Sequence, residues 1–294
     1  MASCQKRKIL LYNKDWNTDK ELNHDIIDGF ELTTEHKYMD QAAAVIFHMP
    51  TLPQRDSIWT AVRKKEGQLW VFWSMECEAH YKWQYKPEIA GLFDIMATYK
   101  LDSDLPVPYF YSGYHNLLRN KPVPKTEFLN AFISSSFDQS GRLKYLKELM
   151  SCISVHSYGR ALNNKQLDSD EGITTKGKII ASYKFSVAFE NAIAKDYVTE
   201  KFFEPLIAGS VPIYLGAPNI DDFTPGDKCY INAHSFPSVK ALADYLLELE
   251  NNDEAYIEYL KWKTLPFKKK FSQKLSMVEK DPLIRLCDIL KKRL

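Results

Sequence analysis

The 294-residue sequence is marked first by what it does not contain. Its five cysteines (Cys4, Cys77, Cys152, Cys229 and Cys287) form no CxxC pair, so neither a zinc ribbon nor a disulfide framework is indicated. The thiols read as reduced, as in a cytosol-like compartment, with a single disulfide as the alternative. Only eleven glycines are present, and they supply neither a Walker loop nor a GxGxxG turn. GxSxG, HxH and HExxH are absent as well, which counts against kinase, dehydrogenase, α/β-hydrolase and zinc-protease chemistry. No run approaches 18 uninterrupted apolar residues, and the start, MASCQKRKILLYNKDW, lacks an apolar h-region. As written, the chain reads as neither spanning a membrane nor entering a secretory route. The formal net charge of +1 gives no whole-chain argument for a nucleic-acid surface.

What is present is a hydrophobic fraction of 45%, enough for one large core or two medium ones, with two the better expectation at this length. Charge is unevenly placed. From Lys261 onward eleven basic residues face three acidic ones, a local +8 that leaves about −7 for the body. The tail, with Lys268–Lys270 and then Leu286, Ile289, Leu290 and Leu294, fits a basic amphipathic helix. Such a helix either lies on an anionic membrane or packs on the body with its basic face solvated.

Apolar runs of β type recur at Lys8–Tyr12, Ala43–Met49, Gln68–Trp73, Phe93–Thr98 and Phe128–Ser134, and again at Cys152–His156, Lys184–Phe189, Val211–Leu215 and Lys228–Ile231. Helical spacing predicts helices at Arg55–Glu66, Gly141–Met150, Thr199–Ala208 and Ser238–Glu250. The polar stretch Asn163–Lys178 reads as a mobile loop. Strand and helix alternate in both halves, which points to two parallel-sheet α/β domains, residues 1–150 and 151–294, the second ending in the basic tail.

One segment carries most of the chemistry. Tyr183–Pro225 reads as a buried strand, a polar loop, a helix start, a second strand and a Gly/Pro turn. Glu190 and Asn191 fall at the carboxyl edge of the first strand, where open sheets place ligands. Thr199 has the character of an N-cap, with Glu200 and Lys201 in the first turn. The helix dipole favours the glutamate there and disfavours the lysine, so Lys201 is intelligible if an anion docks on that end. Pro205 should kink or shorten the helix, and Gly209 should stop it.

These residues resemble the α1,3/α1,4-fucosyltransferase family, glycosyltransferase family 10. The resemblance is carried by Phe189-Glu190-Asn191, Tyr197-Val198-Thr199-Glu200-Lys201, Val211-Pro212 and Gly216-Ala217-Pro218, in family order, and covers residues 150–262. Upstream, Val155 to Arg160 is similar to a segment ending in an arginine that meets a diphosphate, a task suited to a planar, permanently charged fork. Trp73 to Cys77 is similar to the stretch around the family's general base, which implies Glu76. The family often continues Glu-Ser-Pro, whereas Cys77 and Glu78 follow here, so Glu78 is a rival. Asp102 to Asp104 and Pro106 to Tyr109 resemble a further family stretch.

The resemblance implies a GT-B fold, two Rossmann-like domains facing each other across a cleft. It implies an inverting transfer of L-fucose from GDP-β-L-fucose to an N-acetylglucosamine-type glycan. Glu76 would take the acceptor's proton; Arg160, Lys201 and the amides at Thr199 would neutralise the diphosphate; Asn191, Tyr197 and Glu200 would complete the donor site. No metal would be required, since protein cations do that work. The triplets Asp102-Ser103-Asp104 and Asp168-Ser169-Asp170 look like the metal-holding DxD of another transferase architecture but read as surface turns. The aromatics at 69–73 read as core, and those at 80–85 as core or a sugar-stacking platform. The alternatives are another inverting GT-B nucleotide-sugar transferase and a non-catalytic nucleotide-sugar-binding module. The expected partners are GDP-fucose and an N-acetyllactosamine or N-glycan acceptor, with peripheral membrane contact through the tail. The location is left open: soluble or peripheral-membrane as written, with the cytoplasm favoured, or the Golgi lumen for a trimmed or eukaryotic form.

Overall fold

The computed structural model describes residues 7–14, 23–53, 62–167, 169 and 171–294. The chain divides into two compact units. One comprises the residues up to Pro108 together with Lys280–Leu294; the other is Tyr109–Glu279. Of the helix expected at Arg55–Glu66, residues 55–61 lie outside the described residues, and 62–66 are not helical. Asp168 and Asp170 also lie outside them.

The first unit is a seven-stranded sheet. Its strands are β1 (Arg7–Leu11), β2 (Asn23–Ile27), β3 (Phe30–Thr33), β4 (Ala42–His48), β5 (Leu69–Ser74), β6 (Ile95–Thr98) and β7 (Leu105–Pro106), in the order β2-β3-β1-β4-β5-β6-β7. All neighbours are parallel except β2 and β3, which form an antiparallel pair. That pair is closed by Asp28 and Gly29, both at positive φ, as a two-residue hairpin loop demands. Side chains alternate between two apolar layers, as the strand period of two requires. Ile9, Ala44, Ile46 and Val71 enter one layer, while Leu10, Val45, Phe47, Trp70 and Phe72 enter the other.

The second unit holds a five-stranded, wholly parallel sheet of β8 (Glu127–Ala131), β9 (His156–Ser157), β10 (Tyr183–Phe189), β11 (Val211–Leu215) and β12 (Ile231–Asn232). The longer helices, in chain order, are α1 (Arg142–Cys152), α2 (Ile173–Ser182), α3 (Glu200–Ala208), α4 (Val239–Glu250), α5 (Lys269–Met277) and α6 (Pro282–Arg293). The strand order is β12-β11-β10-β8-β9, so the chain leaves β8 on one side for β9 and returns on the other for β10. The direction of winding therefore reverses between β8 and β10. In a doubly wound sheet the crevice beyond the carboxyl ends at such a reversal is where ligands sit.

Three expectations need correction. First, β8 pairs with β10, so residues 127–131 belong to the second sheet, and the compact units divide at Tyr109 rather than near 150. Second, Cys152 ends α1 instead of starting a strand, because Leu146 and Leu149 carry a buried helical stripe up to it, with Cys152 itself exposed. Third, the loop expected over Asn163–Lys178 gives way at Gly172 to α2, whose polar composition hides a helix of modest amphipathicity.

The tail follows the packed reading. Leu286, Cys287 and Leu290 of α6 are buried in the first unit's layer with Ile9, Leu32 and Val107. Its cations find the body's acids: Lys291 pairs with Asp28 at 2.6 Å and Arg293 with Asp104 at 3.2 Å. In the second unit Lys268 pairs with Asp227 at 2.8 Å and Lys270 with Asp222 at 2.7 Å. The basic tail and acidic body are thus partly neutralised within the chain. Among the described residues no helix is long and apolar enough to cross a membrane.

Candidate active site

The site of the second unit is built along the carboxyl edge of β8, β9 and β10. The register aligns Ala131 of β8 with Ser157 of β9 and with Val187 of β10, so the loops after all three strands leave at one level. After β9 the chain runs to Arg160 through Gly159, where a Cβ would stand 2.2 Å from the Ile133 carbonyl oxygen; only glycine passes so close. The loop is laced to the extension of β8: Tyr158 N–H donates to Ala131 O at 2.9 Å, Ala161 N–H to Ile133 O at 2.9 Å, and Arg160 N–H to Ser134 Oγ at 3.4 Å. Arg160 itself is exposed. Tyr158, two residues before it, stacks face to face with Phe132, centroids 5.0 Å apart.

The next stretch, Ser135–Arg142, is organised by a buried guanidinium. Arg142, 1% exposed at the first position of α1, donates to the carbonyls of Ser135 (3.0 Å), Phe137 (3.1 Å) and Phe189 (3.2 Å). Ser140 Oγ donates to Glu190 O at 2.5 Å, and the amides of Gln139 and Ser140 donate to Asn191 O at 2.8 and 3.2 Å. Asn191 is 8% exposed, and its Oδ1 is buried without a hydrogen-bond partner. An orphaned buried acceptor is costly and rare, so this one fits an amide kept for a ligand.

From Glu190 the network continues into α3. Glu190 is 0% exposed; Oε1 accepts the Thr199 N–H at 2.7 Å and Oε2 the Thr199 hydroxyl at 2.8 Å. Thr199 is the N-cap, its hydroxyl oxygen accepting from Lys201 N–H at 3.4 Å and from Lys201 Nζ at 3.1 Å. Lys201 Nζ also meets Glu200 Oε1 at 2.7 Å and lies 3.8 Å from Glu190 Oε2. Burial pushes the Glu190 carboxyl up to about 7 against the pull of Lys201. Burial likewise opposes the charge on Lys201, but Glu200 and Glu190 outweigh it and hold the ammonium above its usual range. Glu200 is held below the usual carboxylate range: burial raises it, and the ion pair with Lys201 more than offsets that. α3 runs through Pro205 to Ala208 and stops at Gly209, which has φ 76°.

Of the sequence candidates, Asn191, Glu200 and Lys201 are joined by this chain of hydrogen bonds, with Arg160 on the neighbouring loop. Tyr197 is 1% exposed, its ring edge-on to Tyr109 at 6.1 Å, so it backs the site. The turn Gly216–Asn219 closes the edge beyond β11. A Cβ on Gly216 would stand 2.6 Å from Glu190 Cγ, and Asn219 exchanges two hydrogen bonds with Asp196, at 2.8 and 2.9 Å. Sequence reasoning placed Glu190 at the ligand edge without giving it a role, and missed Arg142 as a site residue. Arg142 carried a signal, a cation at a helix start against the dipole, the same signal that singled out Lys201.

In the first unit Glu76 lies two residues beyond β5, half-buried; its N–H donates to Ser74 Oγ at 3.3 Å, and its carbonyl accepts from Tyr85 Oη at 3.4 Å. Glu78 is committed elsewhere. Its Oε2 accepts from the buried Tyr99 hydroxyl, and its Oε1 pairs with Lys100 at 3.0 Å. Burial raises the Glu78 carboxyl, but those bonds win and hold it below the usual range, which makes it the poorer base. Trp70 and Phe72 are core, as expected, and Tyr85 packs on Phe72 with centroids 5.1 Å apart. Asp104 accepts from Met96 N–H at 2.8 Å besides pairing with Arg293. Among the described residues no three His, Cys, Asp or Glu side chains converge as a metal site.

Comparison with known proteins places the chain in a family. Residues 122–294 match the family model for glycosyltransferase family 10 (fucosyltransferase) C-term, and residues 4–110 match the fucosyltransferase N-terminal model. The chain belongs to glycosyltransferase family 10, the fucosyltransferases. Within that family it is 33% identical over 250 residues to the 4-galactosyl-N-acetylglucosaminide 3-alpha-L-fucosyltransferase 9 of Bos taurus, covering 81% of this chain and 65% of that one. It is 37% identical over 201 residues to the GDP-fucose protein O-fucosyltransferase 3 of Xenopus tropicalis, covering 63% of this chain and 42% of the relative. The chain thus spans less than two thirds of the length of these relatives. A crystal structure of an alpha1,3-fucosyltransferase with GDP-fucose superposes over 96% of this chain and 93% of its own, with a TM-score of 0.61 at 20% identity. The fold is accordingly GT-B, two Rossmann-like units.

Proposed function

We propose that the chain is an inverting fucosyltransferase that moves L-fucose from GDP-β-L-fucose to an N-acetylglucosamine-type hydroxyl in α1,3 linkage. The observation that carries this reading is the Thr199–Lys201 helix start at the carboxyl edge of a switch-point sheet. There an N-cap hydroxyl, an ammonium and helix amides gather where a diphosphate would dock. Arg160 and Lys201 neutralise the departing diphosphate, with the α3 amides as fixed donors. Glu200 meets ribose or fucose hydroxyls, the orphaned Asn191 Oδ1 accepts from the nucleotide-sugar, and Tyr197 supports them from behind. Two protein cations and a helix end perform the charge stabilisation a divalent ion performs elsewhere, so the reaction is independent of added metal.

The first unit supplies the base. Glu76 takes the proton of the acceptor hydroxyl as its oxygen attacks the fucose anomeric carbon and the bond to the diphosphate breaks. Glu78, tied to Tyr99 and Lys100, positions the loop. A second reading of the acceptor, a protein hydroxyl in place of a glycan one, is favoured by the similarity to the frog protein O-fucosyltransferase. The apolar face of α6 is taken up by the core, so membrane contact would rest on its basic face alone.

The test is incubation of purified protein with GDP-fucose and a panel of N-acetyllactosamine, N-glycan and folded-protein acceptors, with products read by mass spectrometry. A deoxyhexose gained by an N-acetylglucosamine-type glycan supports the reading, and gain only by protein moves the acceptor to the second. GDP release without acceptor dependence, or transfer from a different nucleotide-sugar only, would sink it.

A further inference from the structure

Glu190 is the one carboxylate of the second unit's site that solvent does not reach, and it grips the helix start from behind. Its two oxygens take both polar groups that Thr199 offers as donors, the amide at 2.7 Å and the hydroxyl at 2.8 Å. With its proton so directed, the Thr199 oxygen turns its lone pairs toward Lys201 Nζ, 3.1 Å away. The backbone is pinned as well: Glu190 N–H donates to Leu215 O at 2.8 Å, and Glu190 O accepts from Ser140 Oγ at 2.5 Å. Gly216 leaves the room its Cγ needs. An anion bound at this helix end would meet Lys201 on one side, while Glu190 holds the same ammonium from the other.

We propose that Glu190 is a positioning residue for the donor diphosphate. Through Thr199 it fixes where Lys201 stands, and its charge competes with the diphosphate for that ammonium. The inference rests on the donor reading above and adds a residue that acts without touching the ligand. When Glu190 is protonated, Lys201 has only Glu200 as an anionic partner and meets the diphosphate readily. When Glu190 ionises, a second buried anion draws on the same cation and repels the phosphates. Burial brings this change near neutrality, about 7. The other charged and titratable groups facing the carboxylate stay fixed there: Glu200 and Lys201 of α3 are held further into their charged forms, the Tyr214 phenol of β11 is pushed well above its usual range, and the Arg142 guanidinium of α1, though lowered by burial, keeps its charge near neutrality as arginine does in proteins. GDP-fucose, a diphosphate diester, keeps its own charge across this range.

The experiment is calorimetric titration of GDP-fucose into the whole chain between pH 5.5 and 8.5, for wild type and Glu190→Gln. Wild-type affinity should fall as pH rises, by roughly three- to tenfold for one added charge in a partly buried site. Glu190→Gln, which mimics the protonated acid, should stay flat near the low-pH wild-type value. Glu190→Asp, which keeps the charge, should retain a fall. A wild-type affinity independent of pH overturns the inference whatever the variants do, and so does a fall that persists unchanged in Glu190→Gln. Absence of GDP-fucose binding at every pH overturns the donor reading itself, a separate outcome from either.

Discussion

The two units hold their candidate groups by opposite means. In the second unit the groups around the α3 start are tied to one another: Arg142 to three carbonyls, Glu190 to Thr199, Thr199 to Lys201, Lys201 to Glu200. In the first unit Glu76 stands just past a strand end, with its backbone anchored to Ser74 and Tyr85, while the neighbouring Glu78 is the carboxylate held fast. A diphosphate is a fixed, dense charge, and a site for it is strongest when its cations are preorganised. Ion pairing lowers a carboxylate's basicity, which counts against Glu78, paired with Lys100, as the base. On the proposed reading the same residue type, glutamate, is therefore a positioning carboxyl at 190, a partly shielded ligand group at 200 and a base at 76.

Substitutions in the second unit should break this contrast hardest. Arg142→Met removes donors from three buried carbonyls and leaves them unpaired. It should cost about 2–4 kcal/mol of stability, read as a lower denaturant midpoint, with donor affinity falling as the Ser135–Asn191 network loosens. A variant as stable as wild type would mean that the guanidinium organises nothing. Lys201→Ala should weaken GDP-fucose binding by roughly ten- to a hundredfold, as expected for a charge-assisted contact to phosphate, with the drop measured by calorimetry. Unchanged binding would move the phosphate site off α3. Thr199→Ala deletes the cap and the link from Glu190 to Lys201, and should cost about 1 kcal/mol of stability together with a several-fold loss of donor affinity. The smallest effect belongs to Glu78→Gln, which should leave kcat within about tenfold of wild type, because a positioning group is not asked to accept a proton. A larger loss with an altered pH profile would hand Glu78 the base's role and erase the contrast between the units.

The proposed donor side was legible in sequence because its chemistry imposes spacing. A strand must end at Phe189, a helix must start at Thr199, and a glycine must follow β11, so residue types and intervals announce the edge together. The roles inside that edge were less legible. Glu190 looked like a ligand group one residue from Asn191, and only the fold shows that its carboxyl points back into the helix start. Arg142 drew no reading at all, since its three carbonyl partners are set by a loop and by β10, neither of which the local pattern reveals. The choice between Glu76 and Glu78 needed Tyr99 and Lys100, more than twenty residues away and brought to Glu78 by the pairing of β5 with β6. The place of β8 was misread because a strand carries no mark of which sheet it joins. The tail helix, by contrast, declared its apolar stripe, and its cations found partners, Asp28, Asp104, Asp222 and Asp227, that composition alone had counted only as an acidic body.

The measurement that tests this division most directly is Glu76→Gln, assayed in parallel for fucose transfer and for GDP-fucose binding. The account predicts that transfer falls by about a hundredfold or more, the usual worth of a general base, while the donor dissociation constant stays at its wild-type value. Transfer that persists, or donor binding that falls in step with it, would contradict the assignment of the base to the first unit and the donor to the second.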